Sequence, residues 1–473
     1  MKFIILLLAI LNFCQLSYAS TLLPDTHIPG YSKDFLLNKQ AHNNTAATTK
    51  PYTVIPYDYN SVLQESQNDI NQLISENSNR NTPESINQLV ENVGYYFEHT
   101  KHTPYNAVGA MGEGDWCNNN FNVRGCPHTQ QDPIYRTDVL DCVTLVNIAM
   151  GLINSHTLAE FNNNIFHIAY GANQWSNKYP ANEVSYRNCD NFVSGSFNPI
   201  NQKNKRLEDV TAHGVFSNLV KQTQATITRA KWFAFQAEPD VIASHVRVLE
   251  DKDGNAMADK LSDPDNFNAF PSQPVTIQYI PKNILVNKVT LSSQHTIYIA
   301  DESKINQIVT PAVVEIVRDV NKWNIGTKNI RDIIGSGINV SHVALLYHHK
   351  FLYGQTIYHQ IRCNYNAKKQ KICSVNPIVC NQRQGCYKVM MLAATDAYPD
   401  GYVWSHNVNT KNYYCTSSDD IPTGATPITA CNRVMTMPLG DYLTRYEYGH
   451  YTFMDSPSIV GINVERILPN QTA

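Results

Sequence analysis

Apolar residues recur along this chain in separate helical and strand periods. Over 61–78 a polar stretch carries Val62, Leu63, Ile70, Leu73 and Ile74 near helical spacing, which predicts a helix. Thr82-Pro83-Glu84-Ser85 is a start signal, with proline in the first turn, for a second helix bearing Ile86, Leu89, Val90, Val93 and Tyr96 on one side. Over 138–153 the positions Val143, Val146, Ala149, Met150 and Ile153 make a third apolar face, and 212–235 reads as a further helix. Alternating β-branched and aromatic residues predict strands over 274–280, 296–300 and 340–347, with 356–362 as the expected hairpin partner of the last. A helix over 439–446 and a strand over 459–467 end the pattern, and no repeat of 20 to 50 residues interrupts it.

The stretches between these blocks differ in kind. Residues 20–50 are rich in Asn, Thr and Ala with few periodic apolar positions, which reads as an extended arm. Residues 103–133 are rich in Gly, Asn and Pro and read as a long loop of the kind that carries function. At the start, Lys2, the apolar run Phe3–Phe13 and Ser17-Tyr18-Ala19 have the form of a signal peptide over 1–19. The run is shorter than the roughly 20 residues of a spanning helix, and Phe13 is too bulky for a lipoprotein cleavage box at Cys14. No later stretch has spanning length. The expectation is therefore a soluble product, periplasmic or secreted.

Composition narrows the partners. A net charge of −3 gives no field for a polyanion, so nucleic acid is not an expected partner. Charged residues make up 16%, which leaves neutral polar side chains over much of the surface and suits a glycopeptide ligand. Of eleven cysteines, Cys14 lies in the leader and ten remain. Local pairing in an oxidising compartment would join Cys117 to Cys126, Cys363 to Cys373, Cys380 to Cys386 and Cys415 to Cys431. The spacings are not those of a zinc site, and no metal is expected. Cys142 and Cys189 are left without a neighbouring partner.

Cys142 stands in Asp138-Val139-Leu140-Asp141-Cys142-Val143-Thr144, at the start of the third helix, with Asp138 as the expected N-cap. A helix N-terminus and an adjacent imidazolium both lower a thiol pKa. His342, opening a strand about 200 residues later, can supply the imidazole, because such pairs meet in space and not in sequence. A buried inert cysteine fits the same residues equally well.

Asp141-Cys142-Val143-Thr144-Leu145-Val146, preceded by Thr103-Pro104-Tyr105 and Gly109-Ala110-Met111-Gly112, resembles the NlpC-type cell-wall peptidases of the papain-like superfamily. The nearer resemblance is to their N-acetylmuramoyl-L-alanine amidase-like branch. Further pieces follow in order: Gly112-Glu113-Gly114, Tyr186-Arg187-Asn188, Leu207 to Thr211, Gly337 to Val343, Pro438 to Tyr442, and Gly461-Ile462-Asn463-Val464. The resemblance implies an α+β, papain-like core with helical and disulfide-rich insertions. It would form one domain over 81–473, after an N-terminal arm and helix over 20–80, with a cysteine-rich insertion at about 363–431. Cys142 would be the nucleophile and His342 the base, with no cofactor. His359 would orient the imidazole, although the family's His-Ala-Ser pattern is reduced here to the His; an alternative alignment sets Leu392-Ala393-Ala394 there and leaves no imidazole partner. Tyr105 would help to hold the oxyanion and Arg187 would read a substrate carboxylate. The implied substrate is peptidoglycan or muropeptides, cut between the muramoyl lactyl group and L-alanine. A stem-peptide endopeptidase, an acyltransferase and a non-catalytic binding module are the rival readings.

Overall fold

The computed structural model describes residues 59–80, 82–103, 135–170, 190, 192–228, 272–292, 295–325, 328–334, 336–365, 371–395, 402–403, 433–444 and 456–469. Helices α1 (Tyr59–Glu76) and α2 (Pro83–Tyr95) form where the apolar spacing predicts them. Thr82 caps α2 through a reciprocal box: its hydroxyl accepts from the Ser85 amide at 3.2 Å, and the Ser85 hydroxyl accepts from the Thr82 amide at 3.1 Å. α1 packs with α2, Ile70 and Leu73 sitting in the same core as the apolar face of α2. Helix α3 (Cys142–Ile153) is buried along its whole length, and α4 (Leu158–Ala169) packs on it. Their approach depends on Gly151, where a Cβ would fall 2.8 Å from the Phe161 ring. After a π-helical turn over Val193–Phe197 comes the short α5 (Asn198–Lys203).

The strands are β1 (Leu207–Asp209), β2 (Lys221–Ile227), β3 (Gln273–Pro281), β4 (Val286–Ser292), β5 (His295–Ala300), β6 (Ala312–Arg318) and β7 (Val340–Phe351). They continue with β8 (Thr356–Tyr365), β9 (Lys371–Val379), β10 (Cys386–Thr395), β11 (Tyr402–Val403), β12 (Arg433–Pro438) and β13 (Ile459–Ile467). One antiparallel sheet runs β12-β10-β7-β6-β13-β3-β2, and β1 also pairs with β13. The fold is thus mixed α+β around a large antiparallel sheet. One face packs under the helices through Val343, Leu345, Val313 and Leu392. The other, with Ala344, Leu346, Val314 and Met391, is covered by the β4–β5 hairpin and by α6 (Lys282–Leu285), α7 (Glu302–Ile305) and α8 (Leu439–Thr444). Covering both faces explains why all seven residues of β6 are buried, with no polar-out alternation.

Two expectations are corrected. Residues 221–227 are a strand and not part of a helix: Ala225 and Ile227 are buried two apart and the segment pairs with β3 along its length. The pairing energy of a long antiparallel neighbour outweighs a weak helical period. Next, 356–362 does not pair with the 340–351 strand. β8 belongs to a separate sheet, β9-β8-β11, and the neighbours of β7 are β6 and β10. Strand β10, within the span 363–431, is an inner strand of the main sheet, with Met391, Leu392 and Ala393 fully buried.

Cys380 and Cys386 form a disulfide across the turn before β10, with their Cα atoms 5.6 Å apart. Cys363 stands directly opposite Cys373 in the β8–β9 register, a placement within the Cα range that a disulfide spans. The pairs Cys117–Cys126 and Cys415–Cys431, and Cys189, lie outside the described residues. Non-reducing peptide mapping is expected to recover linked peptides for Cys380–Cys386 and Cys363–Cys373, and Cys142 unlinked. A Cys363 linked elsewhere would refute the second pair.

Candidate active site

Cys142 is the first residue of α3. The helix begins there because Asp141 caps it: the Thr144 amide donates to Asp141 Oδ1 at 2.6 Å, and the Asp141 amide donates to Thr144 Oγ1 at 2.8 Å. Asp138, the expected cap, instead pairs with Arg136 at 2.8 and 2.5 Å. The physical reason is reach, because a cap must sit one residue before the first helical residue. The approach to Cys142 is fastened to α1, since the Thr137 amide donates to Ser66 Oγ at 3.1 Å and its hydroxyl donates to Asp69 Oδ2 at 2.5 Å. Asp69 also accepts from Tyr96 Oη at 2.5 Å and pairs with Lys101.

Cys142 is the free cysteine among the described residues, and it is 5% exposed. Burial first, and the neighbouring Asp141 carboxylate second, push its thiol well above the ordinary range; the backbone N–H groups of Val343, Cys142 and Val143 oppose that rise. The Val343 amide is one of those donors, so the strand bearing His342 passes beside the thiol, while His342 itself stands opposite Ile316, a residue of the other face of the sheet. β7 is irregular at that point: Val340 pairs with Val317 and His342 with Ile316, leaving Ser341 as an extra residue. A bulge of this kind re-aims the side chains around it and recurs beside active sites. His342 is 1% exposed.

The direction of the thiol shift departs from expectation. The helix N-terminus and its amides act to lower the pKa, as the motif implies, but desolvation outweighs them. The resting thiol is therefore protonated at neutral pH. Iodoacetamide at pH 7 is expected to modify Cys142 at least about tenfold more slowly than an exposed cysteine, with the rate rising about tenfold per pH unit in alkali. Rapid labelling at pH 7 would contradict this.

His359 lies on β8, opposite Pro377 and Val403, in the second sheet. The strand beside β7 is β10, whose Leu392 faces Leu345. Tyr105 and Arg187 lie outside the described residues. Among the described residues no group of three or more His, Cys, Asp or Glu side chains is placed to hold a metal ion, and no helix is long and apolar enough to cross a membrane.

Sequence reasoning passed over two acids near this site. Glu315 on β6 stands directly opposite Val343, on the face that α3 covers, and Glu465 on β13 lies on that face as well. Both are buried. Burial, and then Glu465's charge, raise the Glu315 carboxyl well above the usual carboxylate range, while burial raises Glu465 to about 8 against the hydrogen bonds from Gln202. The one available signal was a glutamate in the apolar run Ala312-Val313-Val314-Glu315-Ile316-Val317.

Residues 119–373, more than half of the chain, match the family model described as N-acetylmuramoyl-L-alanine amidase-like, AmiA-like. The chain belongs to that family. The amidase-like match includes Cys142, His342 and His359, and it implies a peptidoglycan-related substrate and hydrolase activity at family level. Among solved structures, a Legionella pneumophila protein of the DUF1460 family is similar at 20% identity over 87% of this chain and 97% of its own, with a TM-score of 0.51. That likeness establishes a shared fold. An N-acetylmuramoyl-L-alanine amidase from Bacteroides uniformis aligns at 12% identity over 81% of this chain and 98% of its own, with a TM-score of 0.37. No curated protein matches the chain.

Proposed function

We propose that this member of the amidase-like family is an exported cysteine amidohydrolase of papain-like architecture, with Cys142 as nucleophile and His342 as general base. The observation that carries the reading is the Val343 amide against the Cys142 sulfur, which brings the histidine strand to a reduced thiol at a helix N-terminus. A thiol held protonated by burial needs a base to become nucleophilic, and His342 is the imidazole next to it in the chain path. Cys142 attacks the amide carbonyl, His342 takes the thiol proton and returns it to the leaving amine, and water resolves the acyl-enzyme. The Cys142 backbone N–H, at the first turn of α3, supports the oxyanion together with Tyr105. His359 orients the imidazole and Arg187 reads a substrate carboxylate.

The bond cleaved is the one between the muramoyl lactyl group and L-alanine, in keeping with the family's description. Purified sacculi incubated with the protein are expected to release intact free stem peptides, identified by mass. Shortened stem peptides would mean an endopeptidase using the same residues. No release at all, from a folded protein, would overturn the enzymatic reading in favour of a binding module.

A further inference from the structure

Three side chains stand abreast on the helix-facing side of the main sheet: Val343 on β7, Glu315 on β6 and Asn463 on β13, each the cross-strand partner of the next. This row runs from the residue whose amide touches Cys142 toward Glu465, which lies two positions beyond Asn463. α3 packs on β7 and β10, while the Val193–Phe197 turn and α5 pack on β3 and β1. The acids thus lie under the seam between the two helical pieces. Directly opposed residues are about 5 Å apart at Cα, so Glu315 is one strand from the residue touching the nucleophile.

The polar groups here are unbalanced. Gln202 Nε2 donates to both oxygens of Glu465, at 2.9 and 3.0 Å, and Asn198 Nδ2 reaches Oε1 at 3.5 Å. Asn463 Nδ2 is spent on the Gln278 carbonyl at 3.0 Å. Neither oxygen of Glu315 has a donor at full hydrogen-bonding geometry, the Asn198 amide beside it being the one group that favours its charged form, and the side-chain oxygens of Asn198 and Asn463 likewise lack a donor. Glu315, Asn463 and Asn198 are 0%, 1% and 5% exposed, so bulk water does not satisfy them. Buried acceptors without donors are rare in folded proteins and call for an explanation. A hydroxyl or an amide would bring acceptors of its own. An ammonium brings three donors and no acceptor, and its charge compensates a carboxylate.

We propose that Glu315 and Glu465, with the side-chain oxygens of Asn198 and Asn463, form the recognition pocket for a primary ammonium group of the substrate, the side-chain amine of a diamino-acid residue in the stem peptide. The proposal rests on the muropeptide reading above. The other charged groups facing the pair are Asp209 and Glu208 on β1; Gln278 donates to Asp209 at 2.9 Å and Arg466 pairs with Glu208. No cation of the chain is therefore shown reaching Glu315 among the described residues. The acids are enclosed, so the ligand enters along the seam as α5, held to Glu465 by two amide side chains, moves aside.

The test is calorimetric titration of Cys142→Ala protein, which binds without turnover, with muramoyl-L-alanyl-D-isoglutaminyl-L-lysine and with its Nε-acetyl form. The free amine is expected to bind at least tenfold more tightly. Its binding near pH 7 is expected to release protons, read from heats in buffers of different ionisation enthalpy, because neutral carboxyls must ionise to receive it. Adding Glu315→Gln and Glu465→Gln, which mimic the neutral acids in shape, is expected to abolish both the discrimination and the proton release. Equal affinities, or a discrimination that survives in the double variant, would overturn the pocket. The two-peptide comparison with the acids intact decides the matter even if the double variant does not fold. Sacculus digestion by the unsubstituted protein reports separately on the hydrolase reading: digestion with equal peptide affinities removes the pocket alone, and neither digestion nor binding removes both.

Discussion

Cys142→Ala, His342→Ala and the double variant are expected to lose sacculus-digesting activity by the same factor, about ten-thousand-fold or more, because a nucleophile and its base act as one unit and their losses do not add. The buried thiol makes the expectation sharper. In a low-pKa dyad a free thiolate could retain some reactivity without its base, whereas here burial and Asp141 hold the thiol protonated. His342→Ala should then be as severe as removing the sulfur. A His342→Ala variant within tenfold of the unsubstituted protein would remove His342 from the chemistry, and losses that multiply in the double variant would argue for two independent roles. Replacing His359 by Ala should cost less and should displace the acid limb of the pH–rate profile if it orients the ring. The same activity with an unmoved profile would send the search for the orienting group elsewhere.

A loss of stability on going from pH 6.5 to 8 is the second large expected effect, and it comes from Glu315 and Glu465. Both have folded-state pKa values raised above the ordinary glutamate value, Glu465 to about 8. Between that ordinary value and the folded one, the native state binds protons that the unfolded chain has released. Stability is then fully present at low pH and is lost as pH rises through the folded pKa, at about 1.4 kcal/mol per pH unit for each such group. Burial lowers His167 and His348, which act with the opposite sign below about their ordinary value of 6.5; the window above it isolates the acids. Urea unfolding at pH 6.5, 7.25 and 8 should show the decline, and Glu465→Gln should flatten it. An unchanged slope in that variant would place the titrating group elsewhere.

Much of the helical layer was legible in the sequence, because α2 and α3 carry their signals locally. Thr82 with Pro83 announces one start, and a burst of apolar residues after Asp141-Cys142 announces the other. The strand order was not legible. Nothing local in 356–362 says that its partner is 371–379 while β7 pairs with 386–395, since antiparallel register is decided by which faces the rest of the chain covers. The motif Gly461-Ile462-Asn463-Val464 illustrates the difference between seeing a residue and explaining it. A Cβ at Gly461 would lie 2.0 Å from the Ile280 carbonyl, so the glycine lets β13 approach β3. Asn463 bridges to β3 through its amide and sits opposite Glu315. Of the candidate site, Asp141-Cys142 was legible as a helix start and His342 as the opening of a strand, while Glu315 is hidden in an apolar run whose two faces only the folded sheet distinguishes.

β13 lies between β6 and β3 and also holds β1, although it spans residues 459–467. The strand that joins the two halves of the sheet is thus the last of the described strands in chain order. Pairings such as Leu207 with Ile467 close very long loops, and such contacts form late and slowly. Until residue 467 has emerged, β6 and β3 have no shared neighbour and the Glu315 row has no far wall. The sheet beneath Cys142 is therefore completed only when residues 459–467 join segments separated from them by more than a hundred residues.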